Sequence, residues 1–285
     1  TPLTLQEAME RKLIRVHETG DVNSLKVENL GDKDIFIQAG DIVKGGKQDR
    51  VLSLDMVLAP KSGRIDIAAF CVEHGRWSGR GGEKTDAFGS SNNALPAKLR
   101  ASTVAKAGEP PRAPGAPQQK VWAGVQEMQR KLADNVGQSV NAKPSPTSMQ
   151  LTLENDKLKS NVAAYEKAFA DILSKTPDAV GFVAVINGKI SSAELYNSTA
   201  LFQRMWPKLL NAAAVEAISE QDKKPVTPIA NDTVTAFLDQ LGKAPATTQK
   251  LSPNTSLRTQ ETDRGIASDT VLSDGAVIHR SYLAK

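Results

Sequence analysis

The chain has little of what usually advertises a chemistry. Its 285 residues include one cysteine, Cys71, which excludes an intrachain disulfide and any site built from several thiolates. The three histidines, His17, His74 and His279, are too scattered for an H-x-H or H-x-x-x-H pattern, so no metal site is expected. No apolar run approaches the roughly 18 residues of a membrane-spanning helix. Aromatic residues make up 5% of the chain and do not interleave with basic ones as in RNA-recognition modules. The 36 basic and 32 acidic residues are interspersed without a Lys or Arg run, so the net charge of +4 and pI near 9.0 do not mark a nucleic-acid binder. Also missing are a phosphate-binding G-x-x-x-x-G-K-[ST], a G-x-G-x-x-G after a strand and a hydrolase G-x-S-x-G elbow, and no cofactor is expected. The opening TPLTLQEAM carries neither an initiator Met nor a signal peptide, which suits a cytoplasmic protein as well as one exported after signal removal.

What is present is a change of periodicity along the chain. Thr4 and Glu7 form a T-x-x-E capping box ahead of a short helix with Leu5, Ala8 and Met9. The alternating segments LIRVHE, NSLKVENL and DIFIQAGDIV follow, punctuated by glycines, and predict an antiparallel sheet. A Gly-, Ser- and Asn-rich passage then leads through LPAKLRAS into AGEPPRAPGAPQQ, whose composition suits loops. Beyond it Val121, Trp122, Val125, Met128, Leu132 and Val136 recur at helical spacing, and after NAKPSPTS a second stripe runs through Leu158, Val162, Tyr165, Phe169 and Ile172. GFVAVINGKISSAELY reads as two strands about an Asn187-Gly188 turn, and the next helix contains Pro207, which must start, kink or split it. A further short helix precedes strand-like sequence with an Asp274-Gly275 turn.

This order predicts an α+β fold, with an antiparallel β-rich N-terminal half, a helical middle and C-terminal strands that return to join or cover the first sheet. Taking roughly 100–200 residues per domain, residues 1–100 form the β-rich region, 101–118 a Pro/Ala-rich loop and 119–285 an α+β region, packed together as one large domain.

Polar residues concentrate in GDIVKGGKQDR (Gly40 to Arg50) and CVEHGRW (Cys71 to Trp77), on either side of a hairpin. Side chains alternate across a strand, so Leu52, Leu54, Met56 and Leu58 share one face, and Ile65, Ile67, Ala69 and Cys71 share one on the return. A turn from Pro60 to Gly63, centred on Lys61 and Ser62, sets Arg50 opposite Glu73. Both extend the apolar row, with Gln48 one step further. Such a sheet end makes either the floor of a polar pocket or a structural ion pair.

The candidate ligand site is therefore Lys47, Gln48, Arg50, Glu73, Arg76 and Trp77, and the expected partner is a small anionic molecule. Arg50 and Arg76 would hold negative charge, Gln48 and Glu73 would bond hydroxyl or amide groups, and Trp77 would stack on a ring. Lys44-Gly45-Gly46-Lys47 is either a backbone cradle for a phosphate or a plain glycine bulge or hairpin turn. Cys71 shares the apolar face while His74 points the other way, which predicts an inert core thiol. Arg80 either forks onto a phosphate or carboxylate, as Arg50 and Arg76 could, or is a solvated surface arginine, and GRGGEK reads as a loop or lid. Two alternatives stay open: a hydrolase with Glu73 as general base, and a structural or interaction protein whose motifs lock the sheet.

GDIVKGGKQDR, CVEHGRW, the segment GFVAVINGKISSAELYNSTALFQRMWPKLL and the terminal VIHRSYL together resemble the ARG and Rhodanese-Phosphatase-superfamily-associated protein domain, a family of unknown function. The resemblance covers most of the chain. It implies an association with ADP-ribosylglycohydrolases and rhodanese-like phosphatases, and hence a nucleotide or ADP-ribose context, without supplying catalytic residues. Where the family pattern has Asn between Gln and Arg, this chain has Asp49, an added charge beside Arg50.

Overall fold

The computed structural model describes residues 1–109 and 116–285, so the prolines at 110, 111 and 114 lie outside the described residues. The chain opens with β1 (Leu3–Thr4) and α1 (Leu5–Glu10). Thr4 Oγ1 accepts the Glu7 amide and the Glu7 carboxylate accepts the Thr4 amide, the expected capping box. Strands β2 (Ile14–Asp21), β3 (Ser24–Asn29), β4 (Ile35–Ile37), β5 (Ile42–Gly45), β6 (Arg50–Leu52), β7 (Met56–Leu58), β8 (Gly63–Cys71) and β9 (Phe88–Gly89) follow. They make a six-stranded sheet in the order β2-β3-β8-β6-β5-β9 and a three-stranded one in the order β1-β4-β7, in which β1 and β4 run parallel.

The middle is helical: α2 (Ala97–Arg100), α3 (Ala116–Val136), α4 (Met149–Leu153), α5 (Asp156–Ala168) and α6 (Ile172–Lys175). Then come β10 (Gly181–Ile186), β11 (Lys189–Tyr196), α7 (Thr199–Ser219), α8 (Asn231–Gly242), β12 (Ala246–Ser252), β13 (Thr255–Glu261), β14 (Gly265–Leu272) and β15 (Val277–Ala284). The six strands form an antiparallel sheet in the order β10-β11-β15-β14-β13-β12. Asn187 (φ 52°) and Gly188 (φ 73°) both take the left-handed values that a tight turn of this hand demands. The fold is α+β, with sheets at both ends of the chain and helices between them.

Of joining and covering, the C-terminal strands do the second. Phe36 of β4 and Val57 of β7 are buried against Tyr196, Leu201, Phe202 and Ile278, and the Val57 amide donates to Thr255 Oγ1 at 3.1 Å. A second core lies between the first sheet and the helices, where Ile42, Val51 and Val72 meet Val121, Val125, Met128 and Leu132 of α3. The α3 stripe is buried as its spacing predicts, Trp122 being half-buried. Helix α7 continues through Pro207.

Two expectations shift. The first hairpin strand breaks after Leu52, because Asp55 leaves the ladder to accept the Ala39 amide at 2.7 Å and to meet His279, and β7 then pairs with β4 instead of β8. Arg50 consequently sits opposite Cys71, two residues from the expected register. A slip of two keeps each side chain on its face, so Arg50 stays inward. The α5 stripe also stops early: Leu158 and Val162 pack with Val215 and Ile218, whereas Phe169, past the helix end, is 41% exposed.

Candidate functional site

The two polar motifs meet in a buried ion network. Glu73 is 0% exposed at the end of β8, and its carboxylate accepts from Arg76 Nε and Nη2 (both 2.7 Å), Arg80 Nη1 (3.2 Å), the Asp49 amide (2.9 Å) and Ser145 Oγ. Asp49, equally buried, accepts from Arg80 Nη1 (2.9 Å) and Nη2 (3.0 Å), Ser148 Oγ (2.6 Å) and the Gly45 amide (2.9 Å). Burial alone would raise the Glu73 pKa, but hydrogen bonds from Arg76, Ser145 and the Asp49 amide outweigh it and hold the carboxyl below its ordinary value. With these partners Glu73 has the chemistry of a counter-ion instead of a proton acceptor. Of the two readings of Arg80, the carboxylate fork is the one found, since it is a buried member of the network, and Ser145 and Ser148 arrive from the NAKPSPTS break.

The network grips backbone as well as charge. Arg76 donates to the carbonyls of Gly45 (3.1 Å) and Gly46 (3.0 Å), and Arg80 Nη2 reaches Glu83 at 3.0 Å, so the Gly45–Gly46 and 78–90 segments are tied together. Gly46 (φ 55°) admits no side chain, since a Cβ would lie 2.4 Å from Phe88 Cζ. The amides of the expected phosphate cradle are already taken, Gly45 by Asp49, Gly46 by the Ala87 carbonyl and Lys47 by Glu18. Gly45 ends β5 and Gly46 opens the plain loop that joins it to β6.

The remaining candidates separate. Arg50 is 0% exposed and donates to the Gln48 carbonyl (2.8 Å) and to Glu18 (3.4 Å), while its Nε has no protein partner among the described residues. It is not paired with Glu73. Gln48 is buried. Trp77 is 45% exposed, with Lys47 Nζ 5.0 Å from its ring centroid and the Arg50 guanidinium carbon at 5.7 Å. Cys71 is a buried thiol whose pKa burial pushes up to about 11, and among the described residues no metal-ligand cluster forms.

Open space lies beside the network. A cleft of about 510 Å³ runs between α1–β2 and the 83–90 segment, floored by Met9, Ile14, Val16 and Phe88. Lys12, Arg15, Lys44 and Lys84 line it against one carboxylate, Glu83. Lys44 pairs with Glu154 and Glu83 with Arg80, whereas Lys12, Arg15 and Lys84 are exposed and form no ion pair among the described residues. A second cleft of about 840 Å³ lies between α1, residues 90–93, α5 and α7. Nothing in the spacing of Lys12, Arg15 and Lys84 marks them in sequence, because a fold had to bring α1, β2 and the Gly-rich passage to one place.

A second buried ion network joins the sheets. His279 Nδ1 meets Asp55 at 2.6 Å and its Nε2 meets Glu194 at 2.9 Å, Arg100 pairs with Glu194, and Thr270 donates to Asp55 at 2.6 Å. Burial would lower the His279 pKa, but the charge and hydrogen bonds of Asp55 and Glu194 raise it to about 9. Sequence reading did not group these residues.

A family model described as the ARG and Rhodanese-Phosphatase-superfamily-associated Protein domain matches residues 1–283, and the chain belongs to that family. No match was found among curated proteins or among solved structures.

Proposed function

Starting from a member of a family without an assigned activity, we propose that the protein binds a small anionic ligand of the nucleotide type in the cleft between α1–β2 and residues 83–90. The observation that carries this reading is three cations, Lys12, Arg15 and Lys84, unpaired among the described residues, around the apolar floor of Ile14, Val16 and Phe88. Guanidinium and ammonium groups suit phosphate, and an apolar floor suits a planar ring. The conspicuous motifs then act at one remove. Asp49, Glu73, Arg76 and Arg80 hold the Gly45–Gly46 wall and the 83–90 wall at a fixed separation, and Gly46 leaves room for Phe88 in the floor.

Titration calorimetry with AMP tests this. Affinity falls at least about tenfold in Arg15→Ala/Lys84→Ala, equivalent to about 1.4 kcal/mol, and weakens as ionic strength rises from about 0.01 to 0.15 M. Absence of AMP binding, or binding indifferent to that double substitution, overturns the reading.

A further inference from the structure

The two clefts are neighbours. Ser90 lines both, and the boundary is crossed by the Lys44–Glu154 pair, whose lysine lines the cationic cleft and whose carboxylate lines the other at 2.7 Å. Helix α1 borders both as well, Glu7 facing the larger cleft and Met9 the smaller. Ser90 Oγ is buried without a hydrogen-bond partner among the described residues, and so is Glu83 Oε2 in the cationic wall. A buried polar atom left unpaired is destabilising, and a ligand hydroxyl or amide at the boundary would recover that loss.

The larger cleft differs in chemistry from its neighbour. Its lining balances three carboxylates, Glu7, Glu154 and Glu166, against three cations, Lys159, Arg204 and Lys208. Glu154 is neutralised by Lys44, and Lys208 by Asp41. Between them stand Asn92, Asn93 and Asn211, whose side-chain amides bond no protein group among the described residues, while Gln150 is fixed by Ser91 and Glu154. Free amides offer donors and acceptors together, and a hydroxyl is likewise both. A site without net charge and with paired donors and acceptors selects a polyhydroxylated group over a second phosphate.

We propose that the two clefts form one bipartite groove for a single ligand whose anionic group links a planar part, on the apolar floor, to a sugar-like part among Asn92, Asn93 and Asn211. The proposal rests on the anion-binding reading of the first cleft and adds the second half of the ligand. Ser90 and the Lys44–Glu154 pair mark the point at which the ligand crosses.

ADP and ADP-ribose, titrated into wild type and into Asn93→Ala/Asn211→Ala, separate the two ideas. Wild type is expected to bind ADP-ribose about tenfold more tightly than ADP, the worth of one or two net hydrogen bonds. The double substitution is expected to abolish that difference while leaving ADP affinity and melting temperature in place, since neither amide holds the fold. Equal affinity for the two ligands in wild type, or a preference that survives the substitution, overturns the bipartite groove and leaves the cationic cleft standing. Failure of both ligands to bind overturns the cationic cleft and the groove with it.

Discussion

The two buried ion networks differ in how their members are drawn from the chain. Around Glu73, the Asp49, Arg76, Arg80 and Glu83 partners lie within 35 residues of one another, with two serines added from the next break. Around His279, partners come from positions 55, 100, 194 and 270, and tie the N-terminal strands, α2 and the C-terminal sheet together. The first network shapes one loop pair beside a cleft. The second fastens whole layers. Each sequesters charge from water and so depends on complete pairing.

The largest effect comes from breaking pairing at the centre of either network. Glu73→Ala removes the shared carboxylate of Arg76 and Arg80 and leaves Asp49 and Glu83 to offset both guanidinium groups. It also leaves the Asp49 amide and Ser145 unpaired, and is expected to cost about 3–5 kcal/mol in denaturant unfolding. Glu194→Ala strands Arg100, leaves His279 with Asp55 as its one carboxylate, and belongs in the same range. Amide exchange tells the two apart: the first substitution should loosen residues 45–49 and 76–90 selectively, and the second should raise exchange across β11 and β15. A loss below about 1 kcal/mol for Glu73→Ala would mean that the motif network is not a unit.

Titration gives the next largest contrast, because only the inter-sheet network contains a histidine. With a folded pKa near 9 against an ordinary 6.5, His279 binds its proton more tightly in the native state. That stabilisation is complete below pH 6.5 and is lost as pH rises through 9, amounting to about 2–4 kcal/mol at 1.36 kcal/mol per unit. Glu73, Asp55 and Glu194 have lowered values, so their contributions are present at neutral pH and disappear in acid. Unfolding free energies from pH 6.5 to 9 should therefore decline in wild type and stay nearly flat in His279→Gln. An equal decline in both would assign the titration elsewhere.

The same contrast explains what the sequence made legible. The Thr4 capping box, the α3 stripe and the Asn187-Gly188 turn are decided within a few residues, and each is found where its pattern lies. Motif density also marked a site of concentrated polar contact, though it could not tell contact with a ligand from contact within the fold. The strand break at Ser53–Asp55 escaped notice because its cause, His279, is 224 residues away. For the same reason the sequence left Arg80 open between a carboxylate fork and a solvated surface. Its partners Asp49 and Glu73 become partners only once β6 and β8 pair. Lys12, Arg15 and Lys84 carried no signal, since isolated cations acquire meaning only when an apolar floor lies between them.

Trp77 gives the smallest effect and the sharpest decision between the motif surface and the cleft. Its ring is 45% exposed beneath Lys47, and an exposed cation–π contact is worth about 0.5–1 kcal/mol, so Trp77→Ala should lower stability by no more than that. Trp77 does not line the cationic cleft. AMP affinity should accordingly be unchanged in Trp77→Ala and lost in Arg15→Ala/Lys84→Ala. The reverse pattern, with AMP binding abolished at Trp77 and retained in the lysine and arginine variant, would move the ligand onto the exposed face of Lys47 and Trp77. The buried network would then stand behind that face, holding Arg76 and the Lys47 backbone in place for it.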